Sequence, residues 1–186
     1  MQADGDKELF ARAKKSDRRA LAEIYDRYAG RIYSYVLRRV EGKGLAEDIT
    51  ASVFIKMLDA IEDSNTWKRS FSSWLYRIAH NAVVDHYRRK DKREMLPLNE
   101  RLVASGDNPV ATAENEITME TVRDAMEYLT EAQRSVIELK FFEGFSNLEV
   151  ANILNKTEGA VKSLQYRALA SLRRHLKVGE KDAEKT

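Results

Sequence analysis

The chain has 186 residues, 33% of them charged and 43% hydrophobic, and a net charge of +2. It has no cysteine, which excludes disulfides, thiolate metal sites and cysteine nucleophiles and suits a reducing cytosol. Few glycines and prolines among so many charges favour an all-α protein. No apolar run approaches the roughly 20 residues of a membrane span, and the opening M-Q-A-D-G-D lacks a signal-peptide pattern. A soluble, cytoplasmic protein without membrane insertion is expected. His80, His86 and His175 form no metal-ligand spacing, so neither a metal nor a cofactor is expected.

Asp6 to Lys14 reads as a short amphipathic helix with Leu9 and Phe10. Ser16 and Asp17 are candidate caps for a long helix to about Val40. Its core stripe is Leu21, Ile24, Tyr25, Tyr28, Ile32, Tyr35 and Val36, and Gly42 and Gly44 mark the turn that ends it. A third helix spans about Leu45 to Ile61. Glu47 and Asp48 are expected in its first turn, where the helix dipole favours acid. Ile49, Val53, Met57 and Ala60 line one face, with Phe54, Leu58 and Ile61 beside it. A loop follows that carries Trp67, Lys68 and Arg69.

Ser70 to Lys90 is the stretch around which the rest is organised. Phe71, Trp74, Leu75, Ile78, Ala79 and Ala82 recur at helical spacing, with Trp74 read as core. Ser73, Arg77, Asn81 and Arg88 fall on another face, and a basic run from Arg88 closes the segment. One greasy stripe and one Arg/Asn face suit nucleic acid, with cations for phosphate and an amide for base edges. Residues 91–113 hold both prolines and no sustained periodicity, which marks a flexible linker between two small helical domains, 1–90 and 114–178. The tail 179–186 is expected to be disordered.

The second domain reads as four helices. The first spans about Glu114 to Leu129, with Met119, Val122, Met126 and Leu129 inward. Thr130 and Gln133 form a capping box for the second, which carries Val136, Ile137 and Phe141 and stops at Gly144. Ser146 and Glu149 form another for a short helix with Leu148, Ala151 and Leu154. Asn155-Lys156 turns, and Thr157 caps a last helix to about Leu176. A short helix, a tight turn and a longer basic helix make a helix-turn-helix. Charge is segregated: +5 over 1–90, −6 over 114–149 and +5 over 150–178. Two separate basic footprints are expected from this pattern. No phosphate-binding glycine loop, paired histidine or nucleophile–base pair points to an enzyme.

The chain resembles the extracytoplasmic-function (ECF) sigma factors of bacterial RNA polymerase. The residues that carry the resemblance are L-A-E-I-Y-D-R-Y from Leu21, A-E-D-I-T from Ala46, S-W-L-Y-R-I-A-H-N from Ser73 and D-H-Y-R-R-K from Asp85. In the second half they are L-T-E-A-Q-R-S-V-I from Leu129, F-E-G-F-S-N-L-E-V-A from Phe142 and T-E-G-A-V-K-S from Thr157. The resemblance implies binding to core RNA polymerase, promoter recognition and promoter melting. The first domain would read the −10 element as single strand, and the second the −35 element as duplex. It places Trp67, Lys68, Arg69, Ser70, Arg77, Asn81 and Arg88 on the −10 element. Trp67 either walls a base pocket or folds back on the core. Lys140, Lys162, Ser163, Tyr166 and Arg167 match −35 contact positions. Glu47 and Asp48 match the acidic pair presented to the clamp helices of the polymerase largest subunit, and the flap is a second implied contact. An anti-sigma factor is the implied regulator. Leu164 and Gln165 depart from the family pattern, as do Ala51 and Ser52. The alternative is a free-standing helix-turn-helix transcriptional regulator, which has no need of the A-E-D-I-T turn or the Trp67/Asn81 face.

Overall fold

A computed structural model describes residues 2–61, 70–94 and 119–183. Helices α1 (Gln2–Ala13), α2 (Arg18–Leu37), α3 (Lys43–Ala60) and α4 (Phe71–Glu94) form the first half. The second half holds α5 (Met119–Glu127), α6 (Glu131–Ile137), a π turn (Glu138–Phe142), α7 (Asn147–Leu154) and α8 (Glu158–Ala183). There is no strand among the described residues.

Local chemistry explains most boundaries. The Asp17 carboxylate accepts from the Arg19 and Ala20 amides and starts α2. Both capping boxes, Thr130/Gln133 and Ser146/Glu149, are complete. Asn155 ends α7 with left-handed φ of 51°, and Thr157 accepts from Ala160 to open α8. Three helices are longer than expected, α1 because it begins at Gln2 rather than Asp6. Helix α4 runs four residues past Lys90, and α8 continues through 179–183. The expected disorder of 179–186 therefore does not hold over 179–183, and 184–186 lie outside the described residues. Gly179 costs a helix only about 1 kcal/mol relative to alanine, and good helix formers surround it.

The first core is built by α2, α3 and α4 around Tyr35, Tyr76, Ile24, Ile32, Met57 and Leu75, each less than 2% exposed. Burying each such side chain stabilises the fold by about 1.5–3 kcal/mol. Trp74 is core, as expected. Four expected core positions are not buried: Tyr25 (52% exposed), Leu58, Phe141 and Leu148. Tyr25 still lays its ring on Phe54 at 4.8 Å, so it borders the core rather than entering it. Phe141 is turned outward because the helix widens into the π turn, which shifts the periodicity by one residue.

The two halves pack together. Helix α7 lies along α4, and Val136, Leu139, Phe145, Val150 and Val161 join the same buried cluster as the first-half residues. A second cluster, Ala125, Met126, Leu129, Ile137, Ala168 and Leu172, holds α5, α6 and α8 together.

Candidate nucleic-acid interface

On α4 the buried stripe of Phe71, Trp74, Leu75, Ala79, Ala82 and Val83 fixes which side chains face water. Arg77, Asn81 and Arg88 are all exposed. At 100° per residue they lie within about 40° of one another around the helix axis. Arg88 is 3.4 Å from Asp85, a loose pair that leaves most of the guanidinium open. Ser73 does not belong to this face. It is 7% exposed, and its hydroxyl points across 3.4 Å to Glu149 of α7. It sits about 80° from Asn81, so helical drift turns it toward the second half. Ser70 precedes the helix, hydrogen-bonds Ser72 and accepts from the Ser73 amide. Trp67, Lys68 and Arg69 lie outside the described residues.

Helices α7 and α8 form the expected helix-turn-helix, joined at Asn155. Val161, Ala168 and Leu172 face inward on α8. That leaves Lys162, Ser163, Tyr166 and Arg167 on its open side, with Tyr166 77% exposed. Lys162 bonds Glu158 at 2.9 Å one turn earlier, and Arg167 Nε reaches the Ser163 carbonyl at 3.4 Å. Both cations are thus held near the start of the helix, where recognition helices meet base edges. Lys140 is not on α8 but half-buried in the π turn. Leu164, one of the departures from the family pattern, packs on the core.

Glu47 and Asp48 are exposed neighbours on α3. They are not in its first turn, because α3 starts at Lys43 behind Gly42, whose φ of +93° only glycine adopts without strain. Dipole complementarity therefore contributes little to them, since it falls off within one turn.

His80 on α4 is half-buried. His80 Nδ1 lies 3.3 Å from the Tyr35 hydroxyl. Desolvation, reinforced by Arg39 and Lys156, lowers its pKa to about 4, so it is neutral at pH 7. Sequence reading missed a set of ion pairs between the halves: Arg31, Arg38 and Arg39 from α2 and its end, with Glu131, Glu138 and Glu143 from the second half. The opposed charge blocks were the available signal.

Residues 24–93 match the family model for sigma-70 region 2, and residues 119–172 match the model for sigma-70 region 4. The ECF RNA polymerase sigma factor BldN of Streptomyces coelicolor is 35% identical over 175 residues, covering 91% of this chain. The chain spans 65% of the length of that relative. The ECF RNA polymerase sigma factor SigW of Bacillus subtilis is 33% identical over 181 residues, covering 92% of this chain and 96% of that protein. The co-crystal structure of the sigma factor RpoE with the anti-sigma factor NepR from Bartonella quintana shares the fold, at a TM-score of 0.64 and 21% identity. It covers 84% of this chain and 96% of that one. Two sigma-70 regions in order, with ECF relatives 35% and 33% identical over 91% and 92% of the chain, show that the chain belongs to the ECF sigma factors of the sigma-70 family.

Proposed function

We propose that this chain binds core RNA polymerase in the cytoplasm, directs it to promoters and promotes melting, with no catalysis of its own. The observation that carries the reading is the pairing of two exposed faces in one chain. One is the Arg77/Asn81/Arg88 face of α4, and the other is the Lys162/Ser163/Tyr166/Arg167 face of α8. The first, with the segment Trp67–Ser70, reads the −10 element as single strand, where an amide and stacking rings suit unpaired bases. The second reads the −35 element as duplex, with Lys140 beside it as a phosphate contact. Glu47 and Asp48 offer exposed acid to a basic surface of the polymerase, taken to be its clamp helices. An anti-sigma factor is the expected regulator; the structurally similar RpoE was crystallised in complex with the anti-sigma factor NepR.

The test is promoter-specific run-off transcription by purified chain and core polymerase over a library of −10 and −35 sequences. Initiation from a defined subset is the expected result. Duplex binding without any initiation would make the chain a helix-turn-helix regulator instead.

A further inference from the structure

The first turn of α8 carries an acid that the −35 reading leaves without a role. Glu158 is exposed, and its carboxylate holds the Lys162 ammonium at 2.9 Å across one helical turn. The pair stands in solvent, at the edge of the face that Val161, Ala168 and Leu172 leave open. Gly159 follows. It lies within about 20° of Tyr166 around the helix axis, near the middle of that open face. A Cβ at Gly159 would meet nothing within 4 Å, so packing does not require the glycine. Glycine is a poor helix former, and its effect here is to leave the first turn bare, so that this end of the helix can approach another surface closely.

An acid at this place is unfavourable against DNA unless it finds a donor. A carboxylate only accepts hydrogen bonds, and phosphate repels it. In the major groove the donors are the N4 amino group of cytosine and the N6 amino group of adenine. The ion pair adds a second constraint, because it fixes a donor and an acceptor side by side. Across a G·C pair the cytosine N4 donates to the guanine O6 at about 2.9 Å, the ordinary N–H···O distance. The edge of that base pair therefore offers an acceptor and a donor at the spacing of the Lys162 Nζ and the Glu158 carboxylate. The ammonium meets O6 with N7 beside it, and the carboxylate meets N4. The reversed C·G pair, and an A·T pair with adenine on the lysine side, set the carboxylate against a carbonyl oxygen. A T·A pair puts a methyl group beside the lysine and the adenine N7, another acceptor, beside the carboxylate.

We propose that Glu158 is a specificity-determining residue of the −35 contact: with Lys162 it reads one G·C pair in one orientation, the lysine on guanine and the glutamate on cytosine. The proposal rests on the −35 reading of α8 above. It makes an anionic side chain, rather than a further cation, select the base pair. The two residues act as a unit. Glu158 rejects the pairs that present an acceptor to it, and Lys162 supplies the attraction that keeps an acid in the groove of a polyanion. Gly159 lets the turn that carries Glu158 come close to the base edges.

The test is competition binding of holoenzyme, formed from the full chain and core polymerase, to promoters that carry each of the four base pairs at every −35 position. The parent should prefer G·C over the other three pairs by about tenfold at one position. Glu158→Ala should erase that preference by tightening the rejected pairs, and leave the preferences at the other positions unchanged. Lys162→Ala should lose the preference at the same position, and the double variant should lose no more there than either single one. Both positions are exposed, so neither substitution opens the core. If Glu158→Ala acts equally on all four pairs, or on none, Glu158 is a solvated charge and the proposal fails. It fails too if the two single variants lose preference at different positions. A parent holoenzyme indifferent to every −35 substitution would overturn instead the −35 reading on which the proposal rests.

Discussion

Asn81 separates reading from holding at the scale of single residues. Asparagine in an exposed helix interior is less favourable than alanine by about 0.5 kcal/mol. Asn81→Ala should therefore leave the fold as stable or slightly more so. It should still impair open-complex formation, and the defect should shrink on a template already melted across the −10 element. Permanganate footprinting of thymines on duplex and pre-melted templates measures this. If melting matches the parent on every −10 variant, reading falls to the segment Trp67–Ser70. Such residues were legible because the buried stripe of α4 is strict, which leaves Arg77, Asn81 and Arg88 nowhere but the surface. Ser73 was misplaced because it stands at the rim of that stripe, where 3.6-residue periodicity alone does not say which neighbour will cover it. Tyr25 and Leu58 were misplaced for a related reason: amphipathic spacing shows a stripe but not its width.

Elements were more legible than their packing. Capping boxes are local chemistry, so Thr130/Gln133 and Ser146/Glu149 could be read without any tertiary information. The π turn could not, because one inserted residue looks like ordinary helix in sequence. The recognition helix yields a direct prediction. Lys162→Ala and Arg167→Ala should each lower the magnitude of the log K against log salt slope for promoter duplex by about 0.9, if each holds one phosphate. A residue that reads guanine should instead lose about 1–3 kcal/mol of discrimination at one position. Salt titration of duplex binding by the full chain, repeated over single-base variants, tells the two apart. An unchanged slope and unchanged preference in both variants would mean that α8 docks by another face. The local cost of Lys162→Ala is small, because its bond to Glu158 is an exposed i,i+4 pair worth about 0.3–0.5 kcal/mol.

For the whole molecule, the charge blocks seen in sequence have two uses. Part of the first-half excess faces outward on α4, but Arg31, Arg38 and Arg39 are spent on the acid of the second half. Sequence showed the opposition of charge without showing that the two blocks meet. The half-buried His80 beside Tyr35 gives stability a pH dependence. Its pKa in the folded chain is about 4, below the ordinary 6.5, so the unfolded chain binds more protons between those values. The contribution of His80 is therefore intact above pH 6.5 and lost as pH falls toward 4, on the order of 2–3 kcal/mol. Glu138 acts in the opposite sense, since burial raises its carboxyl pKa against the pull of Arg39. The difference between parent and His80→Gln isolates the histidine. Urea melts from pH 7 to pH 4 should show a shallower loss for His80→Gln, and parallel curves would exclude His80 as the source.

The completeness of the Arg39 network also governs how quickly the two halves can exchange. Apart they are solvated, and together every nitrogen of that guanidinium has a partner. Between these ends lies a partly dry state, where a charge stripped of water and of its partner costs several kcal/mol. That state is a barrier, not a resting point. Separation should therefore proceed in single long-lived steps, with sharp transitions between two dwell states and no graded breathing. Weakening one arm of the network, as in Glu138→Gln, should shorten the packed dwell without making the transitions gradual.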